Sequence, residues 1–520
     1  MNLKKIDFKD THSFSSSFTD YIEQKEPLKP FYHHFPSPAN FKEQIKEKSG
    51  FSSASRQILS ASLIKQYGDL KTTGLVKQNF ELLKDNKTFT VTTGHQLNIF
   101  TGPLYFIYKI VTVINACKRL KESYPEYNFV PVYWMASEDH DYEEIKYFRL
   151  YGTNYTWNTD QQGAVGRFHL NDLKNVISQL PGDISVFKEA YEKNKTLAAA
   201  VRQYVNSLFG ETGLLVVDGD DRTLKFFFKE VIQNDLFTHT PKEHVDRDTD
   251  RLQKLGYYTQ VNAREINFFY LDKGIRSRLE KSGDRFIVVD SSLSFSKEEI
   301  EKMISEEPEK FSPNVILRPL YQEIILPNLA YVGGPAELVY WLQLKGVFNH
   351  FKIPFPILMP RNFAMVMDTP TYKKFEKTNL QIKDLFETKN YLFNQWVVNN
   401  SQYDLSLGKE IKSLQSVLDG VKERVTEIDS TLNQLVAAET KRTMNGLERI
   451  EKKMLKAEKR HHSDKLRQLE AVKDALFPNG SLQERIDNFL NFYQSDPQFI
   501  QKALANLDPF DFKFNVLTYD

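Results

Sequence analysis

The chain has 520 residues, 41% of them hydrophobic and 26% charged, with a net charge of +1. That length supports a large core in two or three domains, and the near-zero charge implies no global field for a polyanion. The single cysteine, Cys117, excludes a disulfide framework and a cysteine-rich zinc site.

The start, Met1-Asn-Leu-Lys-Lys-Ile-Asp-Phe8, lacks the apolar core of a signal peptide. No run approaches the roughly 18 apolar residues of a membrane helix, so a soluble, cytoplasmic protein without a membrane partner is expected. Residues 1–87 read as mixed and largely helical, with a proline-interrupted segment between Pro27 and Pro38. A strand and a helix follow at about 88–122. The strand breaks at Gly94-His95-Gln96, and Gly102-Pro103 opens a helix with apolar positions Leu104, Ile107, Tyr108, Val111 and Ile114. Proline suits the first helical position, because the N–H it lacks has no intrahelical partner there. Such a helix start offers N–H groups and partial positive charge to an anion. His95 and Gln96 stand at the carboxyl end of the strand, where α/β folds bind ligands; a capped turn with no ligand is the alternative.

A second strand, at 129–137, ends in Glu138-Asp139-His140-Asp141. Three carboxylates beside an imidazole suit Mg²⁺, or tune His140 as a general base. Asp141 followed by Glu144 also fits a capping box, which leaves Glu138 and His140 to face the site. A small insertion is expected at 147–180, helical rhythm at 184–209 and a third buried strand at 213–221. A second insertion spans 240–310, with short strands at 257–264, 266–271 and 285–289, and a helix follows at 294–311.

Arg318-Pro319 opens a short helix that Pro327 ends, followed by a strand at 329–332. Gly333-Gly334-Pro335 then starts a helix over 336–351 with Glu337 in its first turn. A last strand at 355–360 ends in Arg361-Asn362. Arg318, Gln322, Glu323 and Arg361 are polar residues in apolar company. Arginines near strand ends suit bidentate binding of carboxylate or phosphate; a buried Arg318–Glu323 pair is the structural alternative. The alternation of strand and helix over 88–368 argues an α/β fold, a Rossmann-like parallel sheet with insertions. No P-loop, nucleophile elbow or GxGxxG fingerprint is present.

Residues 369–520 differ. Leu407, Ile411, Leu414, Leu418, Val421, Val425, Ile428, Leu432 and Leu435 alternate steps of four and three, the seam of a coiled coil. A second helix is expected from Asn445-Gly446. Between Lys441 and Arg467 there are ten Lys/Arg against four Asp/Glu, which reads as a solvated face or as a surface for phosphates or RNA.

Five stretches, in order along most of the chain, resemble the BshC family. They are Thr93-Gly-His-Gln-Leu-Asn-Ile-Phe-Thr-Gly-Pro-Leu-Tyr105, Pro131-Val-Tyr-Trp-Met-Ala-Ser-Glu-Asp-His-Asp141, Arg318-Pro-Leu-Tyr-Gln-Glu323, Tyr331-Val-Gly-Gly-Pro-Ala-Glu337 and Leu482-Gln-Glu-Arg485. The resemblance implies a core related to class I nucleotidyltransferases and aminoacyl-tRNA synthetases, with a C-terminal coiled coil pairing two subunits. It implies a ligase joining the carboxyl group of cysteine to the amine of glucosaminyl-malate, yielding bacillithiol. The first loop is not the HIGH sequence of the synthetases, and no KMSKS-like loop is visible.

On that reading ATP activates the carboxyl group, Mg²⁺ is compatible, and neither zinc nor a protein-held metal is expected. His95, Glu138 and His140 are the catalytic candidates. Gln96, Gly102, Asp139 and Asp141 come from the first two motifs as binding residues. Arg318, Gln322 and Glu323 come from the third, and Gly333, Gly334 and Glu337 from the fourth, with Arg361 and Arg485 beside them. Two other classes remain open: a non-catalytic dimeric scaffold with a degenerate synthetase-like core, and an RNA-binding protein using the basic helix. That helix lacks the interleaved aromatics of a single-strand binder, so nucleic acid is not the expected partner.

Overall fold

The computed structural model describes residues 2–519. In chain order, the elements that position the site begin with β1 (Asn2–Ile6), α1 (Phe41–Lys48), β2 (Thr88–His95) and α2 (Tyr105–Ser123). They continue with β3 (Asn128–Met135), β4 (Leu215–Asp218), α3 (Arg318–Ile325), β5 (Asn328–Gly333) and α4 (Pro335–Trp341). The last are β6 (Ile357–Pro360), β7 (Phe363–Met367), α5 (Gly408–Ile428), α6 (Asn433–His461) and β8 (Phe514–Thr518).

Five strands make one parallel sheet in the order β6-β5-β2-β3-β4. The chain builds outward from β2 through β3 to β4, then restarts on the other side with β5 and β6. This is the Rossmann-like arrangement, and its switch point lies between β2 and β5. Every residue of β2 is buried. Its threonines remain tolerable there because their hydroxyls are paired: Thr90 and Thr92 donate to Asn328 Oδ1 at 3.1 and 2.8 Å, and Thr93 donates to the Val332 carbonyl at 2.8 Å. α2 packs against β2 and β3 and buries Cys117 in the core.

A second sheet joins the ends of the chain. β1 runs antiparallel to β8, and β8 runs parallel to β7. The N-terminal segment therefore opens with a strand before its helices, a mixed and largely helical stretch. The chain also does not stop being sheet at Arg361-Asn362, where it steps from the first sheet into the second. The 240–310 insertion forms an antiparallel sheet ordered Ser294–Phe295, Arg285–Val288, Ile275–Ser282, Phe268–Asp272, Phe311–Pro313. Residues 257–264 are irregular rather than a strand, the helix Thr240–Lys254 precedes them, and the helix expected at 294–311 is confined to Lys297–Glu306. The smaller insertion contains the hairpin Tyr147–Leu150 and Thr153–Thr156.

The heptad seam does not run through one helix. The chain turns after Ile428, and α5 folds back on α6, whose Glu451 carboxylate accepts the Leu407 N–H at 3.0 Å. α6 begins at Asn433, twelve residues before the expected start at Asn445. The final segment then returns to the core. Gln483 exchanges hydrogen bonds with the Val366 N–H (2.7 Å) and carbonyl (3.0 Å) on β7, and Asn115 on α2 donates to the Leu504 and Leu507 carbonyls.

Candidate active site

A cleft of about 280 Å³ opens at the carboxyl ends of β2, β3 and β5, over the switch point. Gly94, His95 and Gln96 form its floor, and Trp134, Arg318 and Tyr331 one wall. A side chain at Gly94 would meet the Tyr331 hydroxyl at 3.2 Å, so glycine keeps this strand end open.

Lys109, one turn into α2, is the central cation. Its Nζ donates to the Gly94 carbonyl at 2.7 Å and pairs with Glu337 Oε1 at 2.6 Å. Glu337 also accepts the Tyr331 hydroxyl (2.6 Å) and the Gly334 N–H (3.1 Å). Burial would raise the Glu337 carboxyl, but Lys109, Tyr331 and the Gly334 N–H together hold it below its ordinary value. Burial lowers Lys109 in turn. Gly333 and Gly334 thus shape the close approach of β5 to Glu337, and the α4 start carries its own carboxylate instead of an open anion site.

Arg318 has no carboxylate within ion-pair distance among the described residues. Its Nη1 donates to Gln322 Oε1 at 3.0 Å, while Nη2 is buried without a partner. The guanidinium lies 5.5 Å from the Tyr331 ring centre and 5.8 Å from that of Trp134. The Arg318–Glu323 alternative is overturned: Glu323 is buried with Lys48 of α1, at 3.1 Å, and accepts from Gln322 and Asn328. Glu323 is therefore a core link, and Gln322 orients Arg318 from behind the cleft wall.

The second motif divides. Asp139 accepts from Gln96 Nε2 at 2.6 Å and from Arg276 Nη1 at 3.1 Å. Burial opposes its ionisation, yet the His140, Arg276 and Gln96 contacts hold its carboxyl well below the usual range. Arg276 arrives from the second insertion, lies 4.0 Å from the Phe269 ring centre and also donates to His140 Nδ1. His140 itself sits exposed at the rim, not in the cleft lining. Glu138 borders the cleft, but its carboxylate is paired with the fully buried Lys225 and is pushed upward by burial. Asp141 is the helix cap, accepting the Glu144 N–H at 3.2 Å. Glu138 and Asp141 thus have structural partners, and His140 stands off to the side.

Glu144 faces the cleft instead. Its carboxylate has no hydrogen-bond or ion-pair partner among the described residues, and burial together with Asp141 and Asp139 raises its pKa. His95 is deeper. Its ring packs against Tyr105 and Phe106, and Nε2 is unpartnered. Burial, then Lys109 and Arg361, push its pKa well down, so the imidazole is neutral.

Three expected binding residues lie elsewhere. Gly102, at φ +62°, is held by Asn488, which donates to its carbonyl at 2.6 Å, and the adjacent Leu104 N–H donates to the Asp487 carbonyl. Arg361 is bidentate with Glu484 (2.9 and 2.6 Å), both almost fully buried, so its charge is satisfied inside the protein. Arg485 is exposed outside the cleft lining. The Leu482–Arg485 motif therefore fastens the C-terminal segment to β7 and the core. Of the residues the sequence reading passed over, Lys109 carried a signal, as the lone cation in the apolar run 104–114. Arg276 carried none, and Glu144 read only as the capping-box partner of Asp141, a role its backbone N–H fills while its carboxylate turns to the cleft.

This geometry accords with the similarity of the chain to known proteins. Residues 1–362 match the model of the "Bacillithiol biosynthesis BshC, N-terminal Rossmann-like domain", and residues 364–519 that of the "C-terminal coiled-coil domain". The chain belongs to the BshC family. Relatives run the full length: a protein of Flavobacterium johnsoniae is 41% identical over 525 residues, covering 99% of both chains. One of Flavobacterium psychrophilum is 40% identical over 527 residues, again 99% of both. One of Cytophaga hutchinsonii is 39% identical over 519 residues, 100% of this chain and 99% of the relative. Each bears the name "Putative cysteine ligase BshC". In the BshC arrangement seen here, no described helix is long and apolar enough to cross a membrane.

Proposed function

We propose that this chain is a C–N ligase that joins cysteine to glucosaminyl-malate in bacillithiol biosynthesis, in the cytoplasm. The observation that carries the reading is the pair of unsatisfied, oppositely charged groups in one cleft: the Arg318 guanidinium, with Nη2 unpartnered, and the Glu144 carboxylate. Cysteine and glucosaminyl-malate each bring a carboxylate and an amine, which such a cleft complements.

Arg318 holds a substrate carboxylate, and the faces of Trp134 and Tyr331 keep the guanidinium in place. Glu144 takes a proton from the attacking glucosamine ammonium; the free amine then forms the C–N bond as the leaving group departs from the activated carboxyl carbon. The neutral His95 imidazole serves as a hydrogen-bonding group rather than a charge. A free carboxylate is a poor electrophile, so ATP is proposed as the activating co-substrate, with Mg²⁺ as its companion. The starts of α2 and α4 do not present the Leu104 and Gly334 N–H groups to its phosphates, because Asp487 and Glu337 accept them. Nucleotide contact therefore falls to the cleft side chains.

A homodimer through α5 and α6 belongs to the same proposal. No residue of α5 is buried, and Ile428 and Leu435 are 81% and 60% exposed. A scaffold without activity is disfavoured by the unpaired polar atoms His95 Nε2, Gln96 Oε1 and Arg318 Nη2, which a purely structural core would leave at a cost of about 1–3 kcal/mol each. The test is mass spectrometry of cells lacking this protein. Bacillithiol should vanish while glucosaminyl-malate accumulates; unchanged bacillithiol would sink the reading.

A further inference from the structure

His33 and His34 stand on a turn apart from the cleft, opposite Glu47 of α1. His33 Nε2 is 2.9 Å from Glu47 Oε1 and 3.0 Å from Oε2, and His34 Nε2 is 3.1 Å from Oε1. The two rings are 4.0 Å apart at 52°, which turns both Nε2 atoms toward one point although the residues are sequence neighbours. Ligand atoms of all three residues lie within 4.8 Å of one another.

The backbones that carry them are anchored. Lys345 donates to the Tyr32 carbonyl at 2.6 Å and Asn40 to the Phe35 carbonyl at 2.8 Å, on either side of the histidines. α1 is fixed on both sides of its packing face, by Gln44 to the Phe355 carbonyl and by Lys48 to Glu323. The backbones that present the three side chains are thus held in place relative to one another.

We propose that His33, His34 and Glu47 bind one divalent ion of borderline softness, Zn²⁺, Ni²⁺ or Co²⁺. Two imidazole nitrogens and a carboxylate oxygen supply three ligands of a tetrahedral set. Their side chains are 38%, 22% and 35% exposed, so water completes the coordination. Mg²⁺ is not the ion, because it takes oxygen ligands in octahedral geometry. Without the ion, the Glu47 carboxylate accepts the two ring N–H groups, which hold it below its ordinary value against burial. The ion takes the place of those Nε2 protons, and each neutral ring carries its proton on Nδ1 instead. What it stabilises is the junction between the turn and α1, independent of the ligase reading.

The test uses the full chain stripped with chelator and titrated with Zn²⁺ by calorimetry at neutral pH, and with Co²⁺ by visible absorption. One equivalent should bind at micromolar affinity, with a Co²⁺ spectrum of low coordination number and a higher melting temperature. His34→Ala and Glu47→Gln should each abolish that equivalent while the metal-free melting temperature stays near native. Binding only in the millimolar range, or one equivalent that survives the double variant His33→Ala/His34→Ala, overturns the proposal. Should Glu47→Gln melt early, the histidine variants and the Co²⁺ spectrum decide the matter alone.

Discussion

Lys109 and Glu337 form an ion pair that joins the helix after β2 to the helix after β5, across the point where the strand order reverses. Lys109 is 3% exposed and Glu337 26%, so losing Glu337 strands a buried ammonium, and losing Lys109 strands a carboxylate that water reaches only in part. Lys109→Met should lower unfolding free energy by about 3–5 kcal/mol in urea titration. The double variant Lys109→Met/Glu337→Gln should be less harmful than the two single losses added together, since the residues are in direct contact. Simple additivity would mean that the pair is not coupled.

Of the cations lining the cleft, Lys109 and Arg276 are paired with carboxylates, and Arg318 has none within ion-pair distance among the described residues. Arg318→Ala should abolish substrate binding while leaving the melting temperature near native. Arg318→Lys should rescue poorly, because an ammonium offers neither the planar fork nor the stacking against Tyr331. Calorimetry with malate and with glucosaminyl-malate reads this out. Native affinity in Arg318→Lys would show that only charge is needed there.

The arrangement of Arg318 and Arg361 shows where sequence reading reaches and where it stops. Both arginines follow or precede apolar strands, and both read as anion sites. Glu484, which neutralises Arg361, lies 123 residues further along the chain, and no local pattern announces it. The parallel strands β2 to β6 were legible because buried strands are apolar runs bounded by turn residues. β1 and β8 were not, since each is a short strand whose partner lies at the opposite chain end. Arg276 escaped notice because its strand is charged and only half-buried, so it carries no hydrophobic signal. The four-three spacing of the coiled coil continues across the turn at 429–432 in sequence, which concealed the hairpin.

Asp235 gives a pH dependence whose sign is fixed by its surroundings. It is buried and accepts the Asn267 N–H and side-chain amide, the latter at 2.9 Å; burial pushes its pKa up to about 7. The unfolded chain releases that proton near the ordinary aspartate value of about 3.9. Between about 4 and about 7 the native state holds more protons, so stability must fall as pH rises through this window. Asp235→Asn should flatten the dependence. Denaturant midpoints at several pH values across the window check it; an equally steep slope in the variant would place its source elsewhere.

The helical hairpin leaves Leu414, Leu418, Val421 and Val425 only half-buried within one chain. If a second copy covers them, Leu418→Asp/Val425→Asp should convert a dimer to a monomer in light scattering, with helical circular dichroism retained. A retained dimer mass would remove this seam from the interface. Loss of helicity without change of mass would mean that α5 needs the seam only to hold α6.

Glu144 is the carboxylate on which the proposed proton transfer turns. Its pKa is raised by burial and by the neighbouring Asp141 and Asp139, so as a base it is protonated in mild acid and active above its own titration. The rate of bacillithiol formation should therefore rise with pH along an acid limb set above the ordinary Glu value of about 4.3. Glu144→Gln removes the base while keeping the shape, and should cut kcat by roughly 10²-fold or more and erase that limb. KM for glucosaminyl-malate should change much less than kcat, because Arg318 still holds the carboxylate. A variant that loses rate but keeps the native acid limb would assign the proton to another group, with the neutral His95 next in line. A variant with raised KM and native kcat would make Glu144 a binding residue for the ammonium group and nothing more.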